Sequence, residues 1–385
     1  MNSKRDHGDG GIDTRGPDRH RLRWRVGGKR YTKAFHGTKR AAQTELRRLL
    51  KSADDGQHVA PDKTTLADYL RGWLDNETSC SPKTMERYRQ LVDMQINPHL
   101  GATLLQNLRP AQIAEWHALL LRCGGMNGRP LSAHTVSNVH RVLHRGLERA
   151  VALEVIMRNV ASAVPPPKIR PKEIEILNPD QIGAMLAGLA GHFLHPIAVF
   201  AIGTAMRRGE ICALAWSAVD LEGATVRVER SLEQTRAGIR VKTPKTRSGH
   251  RTVSLPTNVV DVLREHRRQQ LEQRLMLGLG RPGDDDLVFC RVDGSPHWPD
   301  NLSRDWARTV RRLKLPIVSF HALRHSSASA LIAAGLDVGA VSRRLGHANP
   351  ATTLRVYTHQ FSRTDGEAAA AIEKAMTGAG GRSLK

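Results

Sequence analysis

Three consecutive prolines at positions 165–167, followed by Lys168, Arg170, Pro171 and Lys172, divide this chain. Each proline ring fixes φ and removes an N–H donor, so neither a helix interior nor a central strand crosses the run. It favours an extended, basic polyproline strap, and the sequence on either side must close its own core. At roughly 150 residues per domain, 385 residues provide for two to three domains. Hydrophobic residues at 40% and charged residues at 25% exclude a wholly disordered, collagenous or disulfide-stapled chain. The cysteines, Cys80, Cys123, Cys212 and Cys290, lie far apart without CxxC spacing, which suggests neither a zinc ribbon nor a disulfide framework and fits a reducing cytoplasm. No apolar h-region follows Met1, which argues against a secretory signal. The apolar stretch from Ile182 to Met206 has bilayer-spanning length but contains His192, His195 and Pro196, and reads as two buried helices.

Lysine and arginine number 59 against 37 acids, a net charge of +22. Such a basic surface attracts polyanions by counterion release, and nucleic acid is the leading partner class. The excess concentrates early: between Arg21 and Lys51, eleven basic residues face one acid, Glu45. Arg21 to Phe35 alternates apolar and basic residues around Gly27-Gly28, a hairpin turn signal, with Leu22, Trp24 and Val26 on one face. Lys39 to Leu50 repeats Ala41, Ala42, Leu46 and Leu49 at helical spacing and can cover that face. A β-sheet-plus-helix module over residues 19–56 is expected. The polar, glycine-rich residues 1–18 read as a disordered tail, and residues 52–63 as a linker.

Leu66 to Leu74, Ser81 to Ile96, Arg109 to Leu121 and Ser132 to Leu153 carry apolar residues three and four apart, between Pro, Gly or Asn breaks. They predict an all-helical domain over 64–162, followed by a linker over 163–175. Next, a capped helix opens after Asn178. Three alternating segments, Ala224 to Arg230, Gly238 to Lys242 and Arg251 to Leu255, predict one small antiparallel sheet, and helices resume near Thr257. The fold class is multidomain and mainly α with small β-sheets, closing with a mixed α+β domain over 176–377 and a disordered tail over 378–385.

His321 and Arg324, at i and i+3 of a helix opening at Phe320, share a face and can grip one anion. Asp337 caps a helix that Gly346 terminates, His347 follows, and Asn349-Pro350 starts another helix carrying Tyr357. These reversals can return Tyr357 towards His321, Arg324 and His347. Upstream, Thr204 to Glu210 sets Arg207, Arg208 and Glu210 into an apolar run, and charge inside a core requires a reason.

Together these motifs resemble the tyrosine recombinases, specifically the phage-type integrases. Thr204-Ala205-Met206-Arg207-Arg208-Gly209-Glu210 is similar to the family's first arginine box, Pro244-Lys245-Thr246 to its β-hairpin lysine, and His321-Ala322-Leu323-Arg324 to its HxxR. Leu345-Gly346-His347 is similar to its LGH and Tyr357 to its nucleophile, while Ala205 stands where the family usually has glycine. The resemblance covers most of the chain, and the set is highly specific in order and spacing.

The resemblance implies a mobile-element or viral-genome integrase that recombines DNA at specific sites through a covalent 3′-phosphotyrosine and a Holliday junction. Arg207 and Arg324 would clamp the scissile phosphate and His321 and His347 would donate hydrogen bonds to it. Guanidinium groups match phosphate through paired, charge-assisted hydrogen bonds. Tyr357 would attack phosphorus, with Lys245 as general acid to the leaving 5′ oxygen and Lys242 as its competitor. His321 would assist removal of the Tyr357 proton, and Glu210 would orient an arginine. Neither ATP, a cofactor nor a metal is expected, although His321, His325 and His347 are a weak zinc alternative. Arg208, His325 and His359 read as ordinary surface residues.

By the same resemblance, residues 19–56 form an arm-type DNA-binding domain and 64–162 a core-binding domain, in a C-shaped clamp with the catalytic domain. Arg21, Arg23, Arg25, Lys29, Arg30, Lys83, Arg87, Arg89, Arg141, Arg145 and Arg149 are candidate DNA contacts, each balanced by a solvated-surface reading. Implied partners are double-stranded attachment sites, three further copies in a homotetramer, a directionality factor and a host DNA-bending protein, in the nucleoid of a bacterial cytoplasm and without a membrane. Residues 366–376 either dock on a neighbouring subunit or pack on their own. A non-catalytic helix-turn-helix regulator is the competing class, from Ala330 to Gly335 followed by Val341 to Leu345, but it leaves Arg207, Lys245 and Tyr357 unexplained. A type IB topoisomerase-like enzyme is chemically adjacent, and the arm module favours recombination over it.

Overall fold

The chain divides at the proline strap into two units, Met1–Pro171 and Lys172–Lys385. The computed structural model describes residues 10–26, 28–54, 62–170, 174–244, 247–281 and 283–361, with a few positions between 366 and 376. Of the expected tails, 1–9 and 378–385 lie outside the described residues, as does most of 366–376.

In the first unit, strands β1 (Gly11–Gly16), β2 (Arg19–Val26) and β3 (Lys29–His36) form an antiparallel sheet in that order, followed by helix α1 (Lys39–Asp54). Val26 pairs with Lys29 across a two-residue turn where Gly28 adopts φ +80°, a conformation glycine takes without steric cost. Leu22 and Trp24 are buried with Ala42 and Leu46 of α1. Strand β1 corrects the expectation that residues 1–18 are a tail throughout. Gly11 to Gly16 pair along β2, and a backbone ladder needs little apolar side-chain surface; Ile12 adds to the small core.

The same unit holds the expected helices: α2 (Leu66–Asn76), α3 (Pro82–Leu91), which runs through a π turn at Val92–Ile96 into α4 (Asn97–Leu100), α5 (Pro110–Cys123) and α6 (Ala133–Ala152). Thr65, Ser81 and Ser132 cap α2, α3 and α6 with their hydroxyls. The stripes read from sequence meet in one core that includes Leu70, Ile113, Leu120, Leu143 and Leu147. α6 lies close to α2 at Gly146, where an added Cβ would sit 2.7 Å from Leu70 Cδ2.

In the second unit, Asn178 caps α7 (Pro179–Gly188), and α8 (Leu194–Thr204) follows, so the apolar stretch is two helices. No helix among the described residues is long and apolar enough to cross a membrane. α8 buries Ile197, Ala198, Val199, Phe200 and Ala201, as expected of a helix apolar on most sides. A short α9 (Arg208–Cys212) leads to strands β4 (Val219–Asp220), β5 (Thr225–Val228), β6 (Ser231–Thr235), β7 (Gly238–Lys242) and β8 (Arg251–Ser254). Helices α10 (Thr257–Met276), α11 (Pro299–Arg312), α12 (Phe320–Ala333), α13 (Val338–Leu345) and α14 (Pro350–Phe361) complete the described fold.

The single sheet expected of three segments is instead two. β4, β5 and β8 form one, and β7 pairs with β6 in a separate ribbon. β6 does not read as a strand because it carries Glu233, yet that buried carboxylate accepts from Arg240 at 3.1 Å and Lys242 at 2.6 Å across the ribbon. Cross-strand neutralisation makes this polar segment fit a sheet.

Candidate active site

At the end of α8 the chain turns through Ala205 at φ +55°, the left-handed region. This is the position where glycine was the family expectation, and Ala205 adopts the required turn with its methyl buried. The turn places Arg207 at the N-cap of α9. Its guanidinium donates to Glu210 Oε1 at 2.8 Å and to the Gly346 carbonyl at 2.8 Å, and Glu210 Oε2 accepts from its backbone N–H at 2.9 Å.

Glu210 also receives Arg251 Nη2 at 2.9 Å, so one carboxylate at 3% exposure joins two guanidiniums. Burial opposes its ionisation, but the Arg251 hydrogen bond and the Arg251 and Arg207 charges outweigh it and hold the carboxyl below its ordinary 4.5. Removing it by Glu210→Ala leaves Arg251 buried and unpaired, and a stability loss of about 3–5 kcal/mol is expected in denaturant titrations. Because the folded pKa is depressed, this contribution is present above pH 4.5 and disappears as acid titrates the folded carboxylate below that value.

Arg324, the fifth residue of α12, is 4% exposed and donates to the Ala205 carbonyl at 2.5 Å, the Leu345 carbonyl at 2.8 Å and His347 Nε2 at 3.1 Å. Burial, and then the Arg207 charge, bring Arg324 down to about 9. Arg344 donates to the Gly203 and Ser254 carbonyls, while its buried Nε has no partner. Among the described residues neither Arg324 nor Arg344 pairs with a carboxylate; Arg324 feels the Arg207 and Arg251 charges and Arg344 that of Arg251, so Glu210 is the one carboxylate bonded within this group of four arginines. A cationic site of this kind is built for an anion.

The His347 tautomer follows from its partners. A guanidinium only donates, so Nε2 accepts from Arg324, and Nδ1–H donates to Thr353 Oγ1 at 2.8 Å. Burial, then the Arg324 charge, push the ring down to about 4. His321 stands exposed at the start of α12, edge-on to His325 with centroids 4.8 Å apart. Tyr357 sits on α14 at φ −122°, ψ 17°, a local departure from helical geometry. It is 3% exposed, packs with Ala205, Ala328, Val341 and Leu345, and its hydroxyl lies 2.7 Å from His325 Nδ1. Burial pushes the phenol up to about 12 against the pull of the Arg324 charge.

Arg207, Arg324, His347 and Tyr357 thus converge. Lys245 lies outside the described residues, as does the side chain of His359; Lys242, its competitor, is bound to Glu233. Three residues differ from what the sequence predicts. His325 touches Tyr357, and its spacing of four from His321 was the available signal. Arg208 is not a free surface group but bonds Asp300 at 2.9 Å and Ser303 at 2.5 Å on α11. Arg251 has a buried side chain bonded to Glu210, and a charged residue at a strand end carries no sequence signal of that burial.

The DNA candidates divide by position. Arg21, Arg23, Arg25 and Arg30 share the sheet face opposite Leu22 and Trp24, whereas Lys29 pairs with Val26 and falls on the α1 side. Arg23 bonds Asp13 at 2.7 Å. On the helices, Lys83 faces Glu86, Arg87 bonds Gln90, Arg89 bonds Asp75 and Arg141 bonds Asn138. Arg145 is held by Tyr88, Ser79 and Glu77.

A mixed α+β domain that gathers arginines, a histidine and a buried tyrosine in this order defines a tyrosine recombinase, an enzyme of site-specific DNA recombination. The chain belongs to the phage integrase family: the family model described as "Phage integrase family" matches residues 177–363, and "Phage integrase, N-terminal SAM-like domain" matches 65–121. It is 30% identical over 384 residues to an integrase of Streptomyces ambofaciens, covering 94% of this chain and 95% of that one. A "Tyrosine recombinase XerC-like" protein of Caldanaerobacter subterraneus subsp. tengcongensis is 29% identical over 354 residues, covering 86% and 89%. The fold is also that of the Tn1549 transposon integrase in complex with a circular intermediate DNA, with a TM-score of 0.67, 21% identity and coverage of 80% and 99%. Lambda integrase, as a tetramer bound to a Holliday junction, has a TM-score of 0.57 at 18% identity, covering 94% and 99%.

Proposed function

We propose that this recombinase cuts duplex attachment sites with Tyr357, storing each broken bond as a 3′-phosphotyrosyl ester until a second strand is joined. The observation that carries this reading is a phenol at the edge of a four-arginine cluster balanced by a single carboxylate. Attack on a phosphodiester builds negative charge on its non-bridging oxygens, and Arg207 and Arg324 supply preorganised donors for that charge. Glu210 holds Arg207 in place. His347 now accepts from Arg324, so it donates to phosphate only once that bond opens and Nε2 carries a proton, a change favoured by the incoming negative charge. Lys245, between β7 and β8 in sequence, protonates the leaving 5′ oxygen by family resemblance. His321 flanks the phosphate and donates to it. A nicked suicide duplex spanning an element end should trap a protein–DNA adduct that survives denaturation; a reaction yielding only hydrolysed strands would contradict the proposal.

The arginine face of the N-terminal sheet supports a role for residues 19–56 as an arm-type DNA-binding domain, with residues 64–162 as the core-binding domain. Arg25 and Arg30 are cross-strand neighbours and both exposed. Arg25→Glu combined with Arg30→Glu should weaken arm-site binding at least about tenfold in gel-shift titrations and flatten its salt dependence, while core cleavage is unchanged. The assembly that fits this chemistry is a homotetramer holding two duplexes; lambda integrase is a tetramer when bound to a Holliday junction. A directionality factor and a DNA-bending host protein would set its direction on the nucleoid of a bacterial cytoplasm.

A further inference from the structure

His325 does not belong to the motif residues read from the sequence, yet it holds the reacting oxygen. We propose that His325 Nδ1 is the base that takes the Tyr357 proton during strand cleavage and returns it during rejoining. This rests on Tyr357 being the nucleophile. In the forward step the Tyr357 O–H bond breaks, its oxygen forms the bond to phosphorus, and the proton passes to Nδ1. The 5′ oxygen leaves with its electron pair and takes a proton from Lys245. Religation reverses each transfer, so nothing is consumed.

Geometry and the engagement of the neighbours single out this ring. The Nδ1 to Oη separation is 2.7 Å, within proton-transfer reach. No described hydrogen bond links His321 to Tyr357. Both His347 nitrogens are occupied by Arg324 and Thr353, and Glu210 is occupied by Arg207 and Arg251. A phenol held at about 12 is almost wholly protonated near neutrality, so it needs an acceptor. Burial, followed by the Arg324 charge, disfavours protonated His325, which leaves a neutral ring able to accept through Nδ1. The groups facing the ring are His321 and Arg324 on α12, His347 from the α13–α14 turn and Tyr357 on α14. Of these Arg324 carries the fixed charge. A phosphate docked on Arg324 offsets that charge and makes His325 a stronger base, so the base is activated by the arrival of its substrate.

The test is single-turnover adduct formation by the full chain on a nicked suicide duplex, with either the ordinary 5′ oxygen or a 5′-bridging sulfur, which leaves without a proton. His325→Asn and His325→Gln keep a hydrogen-bond acceptor but remove the base. Both variants are expected to bind the duplex normally and to cleave either substrate about 10²–10⁴-fold more slowly, with the rate rising about tenfold per pH unit above neutrality. Fluorinated tyrosine at position 357, a more acidic phenol, should recover most of that loss. Rates within about threefold of the parent, or a loss that fluorination does not recover, would overturn the base assignment and leave a structural hydrogen bond. If both variants fail to bind DNA, the parent carrying fluorinated Tyr357 decides alone: an alkaline shift or no shift of its pH limb contradicts the proposal, and a rate less dependent on pH supports it. An adduct that persists in Tyr357→Phe refutes the nucleophile itself, an outcome distinct from all of these.

Discussion

Tyr357→Phe is expected to abolish covalent capture of DNA while leaving duplex affinity within about twofold. The ring remains in its pocket against Ala205, Ala328, Val341 and Leu345, so the fold survives. The variant loses the hydrogen bond to His325 Nδ1, a cost of about 1 kcal/mol. That is small beside a domain stability of roughly 5–15 kcal/mol. The loss of activity, by contrast, is total, because phenylalanine has no oxygen to attack phosphorus. For so basic a chain, duplex affinity is expected to rest on many phosphate contacts and not on one hydroxyl. A melting curve and a gel shift on the same preparation separate the two effects. A variant that still forms an adduct would assign the chemistry to another side chain.

Arg324→Ala is the second large effect. Loss of one preorganised donor to a developing oxyanion costs about 10²–10³ in rate, and Arg324 offers more than one N–H. Cleavage is therefore expected to fall by about 10³-fold or more in single-turnover assays. The same substitution strips the Ala205 and Leu345 carbonyls and His347 Nε2 of their donor, so it also loosens the turn before Arg207 and the end of α13. Arg324→Lys isolates the chemistry. It retains a positive charge but lacks the planar fork, and should recover folding while remaining about 10²-fold slow. Equal rates for the lysine variant and the parent would reduce the residue to a point charge.

Much of the site was legible because recombination chemistry demands particular residue types in local motifs. Arg207 and His347 lie at a helix start and just past a helix stop whose capping residues mark the turns, Arg324 follows a capped helix start, and Tyr357 lies within the helix that the last turn brings back. Glu210 was legible as an orienting group for the same reason, three residues from Arg207 in a capping box. What stayed hidden depends on pairing across distance. Arg251 is 44 residues from Arg207 in sequence, and its role exists only once β8 sets it against Glu210. β1 owes its order to the backbone edge of β2, and β6 to cations on β7 that neutralise Glu233. Side-chain periodicity registers neither. His325 is adjacent to Arg324 in sequence, and only the return of α14 shows which oxygen it meets.

The helix-turn-helix alternative is resolved by family membership and by what its two helices carry. α12 bears His321, Arg324 and His325, α13 leads directly into His347, and both pack around Tyr357. The most direct measurement of the central claim is to digest the trapped adduct with trypsin and nuclease and to weigh the DNA-linked peptide. The nucleotide mass is expected on peptide 356–363, with fragmentation placing it on Tyr357. A nucleotide found on any other residue, or an adduct that carries the 5′ rather than the 3′ phosphate, would contradict the account.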